Sequence, residues 1–212
     1  MFRILLQLHQ NTLLWDGILN SLLQIQISVM CKIVYLTCDR FNKEARKFCN
    51  YLASELEKRS VEVVKGYSYD IFNFWRKHKT YGISLAFDFY KDNKSGAGLT
   101  LNKNCSYIAR DFAYNLCNDI DKLVPNIAWR DFKFVSSDDN EWYKMFNKVS
   151  STTKAIFYLC TQNNEVEWDL FTSFRDNIVK VFVDEIVRCL RSNYDSEIYR
   201  KRVAAAQLKL RK

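Results

Sequence analysis

Apolar positions along this chain fall into short strand-like runs alternating with helical stripes. Lys32-Ile-Val-Tyr-Leu36 is β-branched and apolar and predicts a buried strand. Over residues 42–59, Ala45, Phe48, Cys49, Leu52 and Leu56 recur at spacings of three and four, the stripe of an amphipathic helix. Val61–Val64 predicts the next strand, ended by Gly66. Residues 69–78 read as a helix, and Ile83–Phe89, apolar at almost every second position, as a central strand. Ser95–Gly98 predicts a turn with a short strand, Leu99–Leu101, behind it.

The same alternation continues. Residues 105–123 place Ile108, Phe112, Leu116, Ile120 and Leu123 on one side of a helix that Pro125 and Asn126 end. Phe132–Val135 and Ala155–Cys160 predict strands, separated by a helix over 140–148 capped from the Asp138, Asp139 and Glu141 stretch. The longest helix is expected over 167–190, carrying Leu170, Phe174, Ile178, Val181, Phe182 and Cys189. Strands alternating with crossover helices predict an α/β fold: a three-layer domain with a mostly parallel or mixed central sheet and helices on both faces. The expected domain spans 31–190, with residues 1–30 outside the core and a basic tail over 191–212.

Residues 1–30 are leucine-rich, yet His9, Asp16 and several Gln and Asn interrupt them. They lack the run of about 20 apolar residues that a membrane span needs, and the small-residue cleavage site of a secretory signal. Met30 directly precedes the first strand, so translation is expected to start there, with 1–30 an upstream extension. The alternative is an amphipathic helix docked on the domain or on a membrane surface.

Composition narrows the functional classes. A hydrophobic content of 48% argues against disorder, and five Gly with Pro125 as the single proline argue against long flexible linkers. Lys+Arg 32 against Asp+Glu 24 gives +8. That excess suits nucleic acid, anionic membranes or acidic wall polymers, although a solvated basic surface is the commoner case. Arg200, Lys201 and Arg202 in the tail are the candidates for nucleic-acid contact. Seven cysteines without a C-x-x-C argue against zinc ribbons and thioredoxin-like chemistry, and fit synthesis in a reducing cytoplasm. Neither phosphate-cradling glycine motif occurs, nor G-x-S-x-G. Two histidines, His9 and His78, leave little for a Ser-His-Asp hydrolase. His78 lies in the basic stretch Trp75–Lys79, read as a solvated helix end, and Phe72, Phe74 and Trp75 as packing residues. Asp39, just after the first strand, is expected to cap the following helix.

From Cys31 to Leu190 the order of elements resembles the catalytic domain of the zinc-dependent N-acetylmuramoyl-L-alanine amidases, peptidoglycan hydrolases that hold the metal with two histidines and a glutamate. The central strand carries the resemblance best: Ser84-Leu85-Ala86-Phe87-Asp88 is similar to the family's Ser-Ile-His-Phe-Asn, with Ala86 at the ligand histidine. Asp39 stands where the family's first strand ends in a ligand histidine, and Phe41 where the first helix supplies a ligand glutamate, with Glu44 three residues on. Tyr158 in Ala155–Cys160 takes the place of the catalytic glutamate, while Asn164 and Glu167 match residues downstream of it. Gly96–Gly98 resembles the family's small-residue turn, and Trp129–Lys133 the loop into the next strand.

The resemblance implies an amidase scaffold, bacterial or phage in setting, whose chemical positions have changed. Catalytic zinc needs about three protein ligands and an open position for water, and alanine has no lone pair to offer. Asp39, Glu44 and Asp88 together would make an oxygen-rich set suited to Mg²⁺, Ca²⁺ or Mn²⁺ rather than zinc. A tyrosine hydroxyl, ionising only at about pH 10, is a poor general base at neutral pH. The expectation is therefore a non-catalytic domain that needs no cofactor. It would bind a peptidoglycan fragment or a protein partner through a groove near Asp39, Glu44, Asp88, Tyr158 and Asn164. The alternatives are an active amidase with a relocated metal site, and an interaction protein led by the basic tail.

Overall fold

The computed structural model describes residues 33–39, 41–67, 81–92, 95–124, 129–135 and 151–210. The expected helices at 69–78 and 140–148, residues 1–30, both histidines and Pro125 lie outside the described residues. Six strands form one sheet: β1 (Ile33–Cys38), β2 (Glu62–Tyr67), β3 (Tyr81–Tyr90), β4 (Ala97–Asn102), β5 (Trp129–Val135) and β6 (Ser151–Thr161). Among the described residues three helices accompany them: α1 (Lys43–Lys58), α2 (Tyr107–Leu123) and α3 (Glu165–Leu210). The strand order is β2-β1-β3-β6-β4-β5. All neighbours run parallel except β4 and β6, which are antiparallel. The expected α/β fold with a mixed, mostly parallel sheet is thus present.

Strand parity separates two faces. Val34, Leu36, Ile83, Leu85, Phe87, Leu99, Leu101 and Phe157 point into a single core with the buried stripes of all three helices. α1 packs on β1, β2 and β3, α3 on β3 and β6, and α2 on β4 and β6, with α3 between the other two. Phe48, Phe87, Phe157 and Phe182 interlock at its centre, with ring centroids 5.0–5.8 Å apart. The described helices therefore share one face of the sheet. The opposite face is buried as well: Tyr35, Ser84, Ala86 and Ile156 are at most 1% exposed.

Several boundaries differ from the sequence expectation. Gly66 lies inside β2 rather than ending it, and a Cβ there would press on the Tyr35 ring and hydroxyl on β1. Trp129–Lys133 belongs to β5, at one end of the strand order, rather than to a loop. Gly96, with φ of 122°, makes the turn, while Ala97 and Gly98 already belong to β4. α3 runs on past Leu190 to Leu210, so most of the expected tail is helical in its backbone. No described helix is long and apolar enough to cross a membrane.

Candidate functional site

The C-terminal ends of β1, β3 and β6 lie side by side, the edge where open parallel sheets present their functional residues. Asp39, Asp88 and Tyr158 are gathered here. Asp88 and Tyr158 are direct cross-strand partners, and Gly98 of β4 is the next residue across from Tyr158. The ring of Tyr158 stacks on that of Tyr90, 4.4 Å between centroids and 10° from parallel. Tyr90 in turn covers Gly98 so closely that a Cβ there would meet its ring and hydroxyl. This packing explains a glycine in a strand, and gives Tyr158 a structural neighbour where the resemblance puts a catalytic carboxylate.

The helix cap comes from Asn42, not from Asp39. Asn42 has extended backbone, and its side-chain oxygen accepts the Ala45 N–H at 3.0 Å. Asp39 Oδ1 instead accepts the Phe41 N–H at 2.9 Å, closing a local turn. The same Asn42 donates from Nδ2 to Asp88 Oδ1 at 2.7 Å, tying the β1–α1 turn to the end of β3. Asp88 Oδ1 also accepts the Phe89 N–H at 2.8 Å. Burial pushes the Asp88 carboxyl above its ordinary range, opposed by these two hydrogen bonds, with Asp39 raising it further and Lys91 lowering it. Asn42 was not among the residues expected at this site. Its signal was present as an Asn directly before a period-3.6 stripe.

Glu44 does not join Asp39 and Asp88. It turns to Lys47 on its own helix, 2.8 Å away, and lines a separate cavity of about 290 Å³ between α1 and α3 with Phe48, Tyr51, Trp168 and Phe171. Phe41 is 69% exposed beside the edge. Asn164 serves the start of α3: Oδ1 accepts the Glu167 N–H at 3.3 Å, and Nδ2 donates to Ser95 Oγ at 2.9 Å. Glu167 Oε2 accepts the Thr161 N–H at 2.9 Å, and Asn163 Nδ2 reaches the Lys91 carbonyl at 2.6 Å. The loops after β3 and β6 are thus laced together.

Among the described residues the donor set does not fit a catalytic zinc. Ala86, which the resemblance matches to a ligand histidine, is fully buried between Thr37 and Ile156 on the neighbouring strands. Among the described residues no three His, Cys, Asp or Glu side chains come together as a metal site. What the edge does offer is hydrogen-bonding groups beside an exposed aromatic ring.

No known family's sequence model matches the chain, and no curated protein matches it. Solved structures do. The N-acetylmuramoyl-L-alanine amidase AmiC2 of Nostoc punctiforme superposes with a TM-score of 0.54 at 12% identity, covering 76% of this chain and 98% of that one. The N-acetylmuramoyl-L-alanine amidase of Clostridium difficile 630 gives 0.53 at 9% identity, covering 77% and 97%. At such identities the likeness is one of fold: this chain has an amidase-like α/β fold, diverged far in sequence.

Proposed function

We propose that this chain is a non-catalytic amidase-like domain that binds a cell-wall glycopeptide at the C-terminal edge of β1, β3 and β6. The observation that carries the reading is Ala86. The position that the resemblance matches to a ligand histidine holds a fully buried methyl group, flanked by Thr37 and Ile156 on the neighbouring strands. Glu44, pointing away to Lys47, supports the same conclusion, as does Tyr158, stacked on Tyr90 in place of a carboxylate. A metal-activated water needs both a ligand set and a base, and these positions supply neither.

Binding does not need the metal. Asp39 and Asp88 place carboxylate acceptors beside the exposed ring of Phe41. A peptidoglycan fragment, rich in sugar hydroxyls and amide N–H donors, is matched by such a surface. Cosedimentation with purified peptidoglycan, followed by titration with soluble muropeptides, tests the reading. Saturable binding that weakens at least several-fold in Phe41→Ala supports it. Absence of binding to both removes the ligand, leaves only the fold, and directs the search to a protein partner.

A further inference from the structure

The cavity between α1 and α3 is built by the same spacing on both helices. Glu44, Lys47 and Tyr51 of α1 and Trp168, Phe171 and Arg175 of α3 each recur at three and then four residues, so each set shares one face. The floor is aromatic and fixed. Phe48 and Phe171 are at most 6% exposed, with ring centroids 6.0 Å apart. The Trp168 ring lies 5.7 Å from that of Phe171 and 5.4 Å from that of Phe89, held from two sides. These rings are locked by the core, so an apolar body lying against them orders little of the protein.

The rim carries both signs of charge. Lys47 Nζ meets Glu44 Oε1 at 2.8 Å, and Arg175 Nε meets Asp176 Oδ1 at 3.5 Å. Each helix thus brings one cation and one carboxylate, and the rim is neutral. All of these side chains keep at least 28% of their surface exposed, so the pairs are weak and are exchanged for ligand contacts at little cost. The Arg175 guanidinium lies over the Tyr51 ring, 5.7 Å from its centroid, which holds its fork beside the cavity. Lys47 engages one oxygen of Glu44, and a carboxylate has a second oxygen for an incoming ammonium.

A phosphate or a nucleotide would meet two carboxylates along with the cations. The volume of about 290 Å³ also sits near the lower limit of small-molecule sites. What matches is a small apolar body with one ammonium and one carboxylate close together. We propose that this cavity binds a free α-amino acid with an aromatic or large aliphatic side chain. Its carboxylate meets Arg175, its ammonium meets Glu44, and its side chain lies on Phe48, Phe171 and Trp168. The cavity is separate from the edge that carries Asp39, Phe41 and Asp88, so the proposal does not rest on the glycopeptide reading, and failure of either leaves the other standing.

Ligand-observed NMR titration of the full-length protein tests it, with L-phenylalanine and L-leucine as probes. Saturable binding of at least one is expected. Its N-acetyl derivative lacks the ammonium and its amide lacks the carboxylate, so these stand for the two ends of a peptide. Each should bind at least about threefold more weakly than the free amino acid. Arg175→Gln should weaken the amino acid and its N-acetyl derivative by a similar factor and leave the amide unchanged. Glu44→Gln should weaken the amino acid and its amide and leave the N-acetyl derivative unchanged. Absence of saturable binding by both amino acids overturns the proposal. So does a derivative that binds as tightly as its parent, which would give the cavity to a peptide end, or undiminished binding in a folded Arg175→Gln protein. If a variant does not fold, the comparison of the amino acid with its two derivatives on the wild type decides alone.

Discussion

Asn42 Nδ2 and Asp88 Oδ1 meet at 2.7 Å although 46 residues separate them in the chain. One side chain thereby performs two tasks, because its oxygen also caps α1 through the Ala45 N–H. Asn42→Ala removes both bonds and leaves Asp88 with the Phe89 N–H alone. The expected loss is about 2–3 kcal/mol, about 1 for the cap and the rest for the charge-assisted bond. Urea denaturation at pH 7 measures it, and a loss below about 0.5 kcal/mol would show that the bond is not made in solution.

Asp88 itself is predicted to cost stability at neutral pH. Its folded-state carboxyl is held above its ordinary value, first by burial. The stability linked to its proton is therefore fully present below the unfolded-state pKa of about 4 and is lost as pH rises through the folded value. Asp88→Asn keeps the acceptor oxygen for Asn42 and Phe89 without the charge. Its stability relative to the wild type should rise from acid to neutral pH, whereas a flat difference across pH 3–8 would contradict the shift.

Ala86→His would restore a ligand-type residue to the matching position. The methyl there is fully buried between Thr37 and Ile156, so an imidazole overpacks the sheet by several heavy atoms. A loss of about 1–3 kcal/mol is expected, without gain of zinc. A variant that is as stable as the wild type and retains stoichiometric zinc would show that the pocket survives.

Gly98→Ala brings a methyl against the Tyr90 ring and hydroxyl, which the stack with Tyr158 holds in place. A loss of about 1–3 kcal/mol is expected. Tyr90→Phe removes the closest atom, so part of that loss should be recovered in the double variant. A double-mutant cycle reads the coupling directly, and strict additivity would rule out this contact.

What could be read from the sequence follows from how local each signal is. α1 and α2 carry unbroken stripes from Ala45 to Leu56 and from Ile108 to Ile120, and both formed where expected, with those residues buried. β3 and the core of β6 were visible as dense apolar runs. The start of β6 was not, because Ser151–Lys154 is polar and is drawn into the strand by pairing with β3. The full length of α3 was hidden too, since no apolar stripe continues through its basic end. At the site, Asp39, Asp88 and Tyr158 lie along one edge of the sheet, residues that the sequence brought together only through the family resemblance. The bond from Asn42 to Asp88, and the turning of Glu44 towards Lys47, depend on tertiary approach and helix register that no local pattern encodes.

The central claim is that the amidase-like fold here has lost its chemistry. The most direct measurement is release of stem peptides from purified peptidoglycan by zinc-supplemented protein, followed by chromatography of the soluble fraction. The account predicts no release above the protein-free control while the protein remains bound to the wall material. Time-dependent release of amide-cleaved peptides that a chelator abolishes would contradict it.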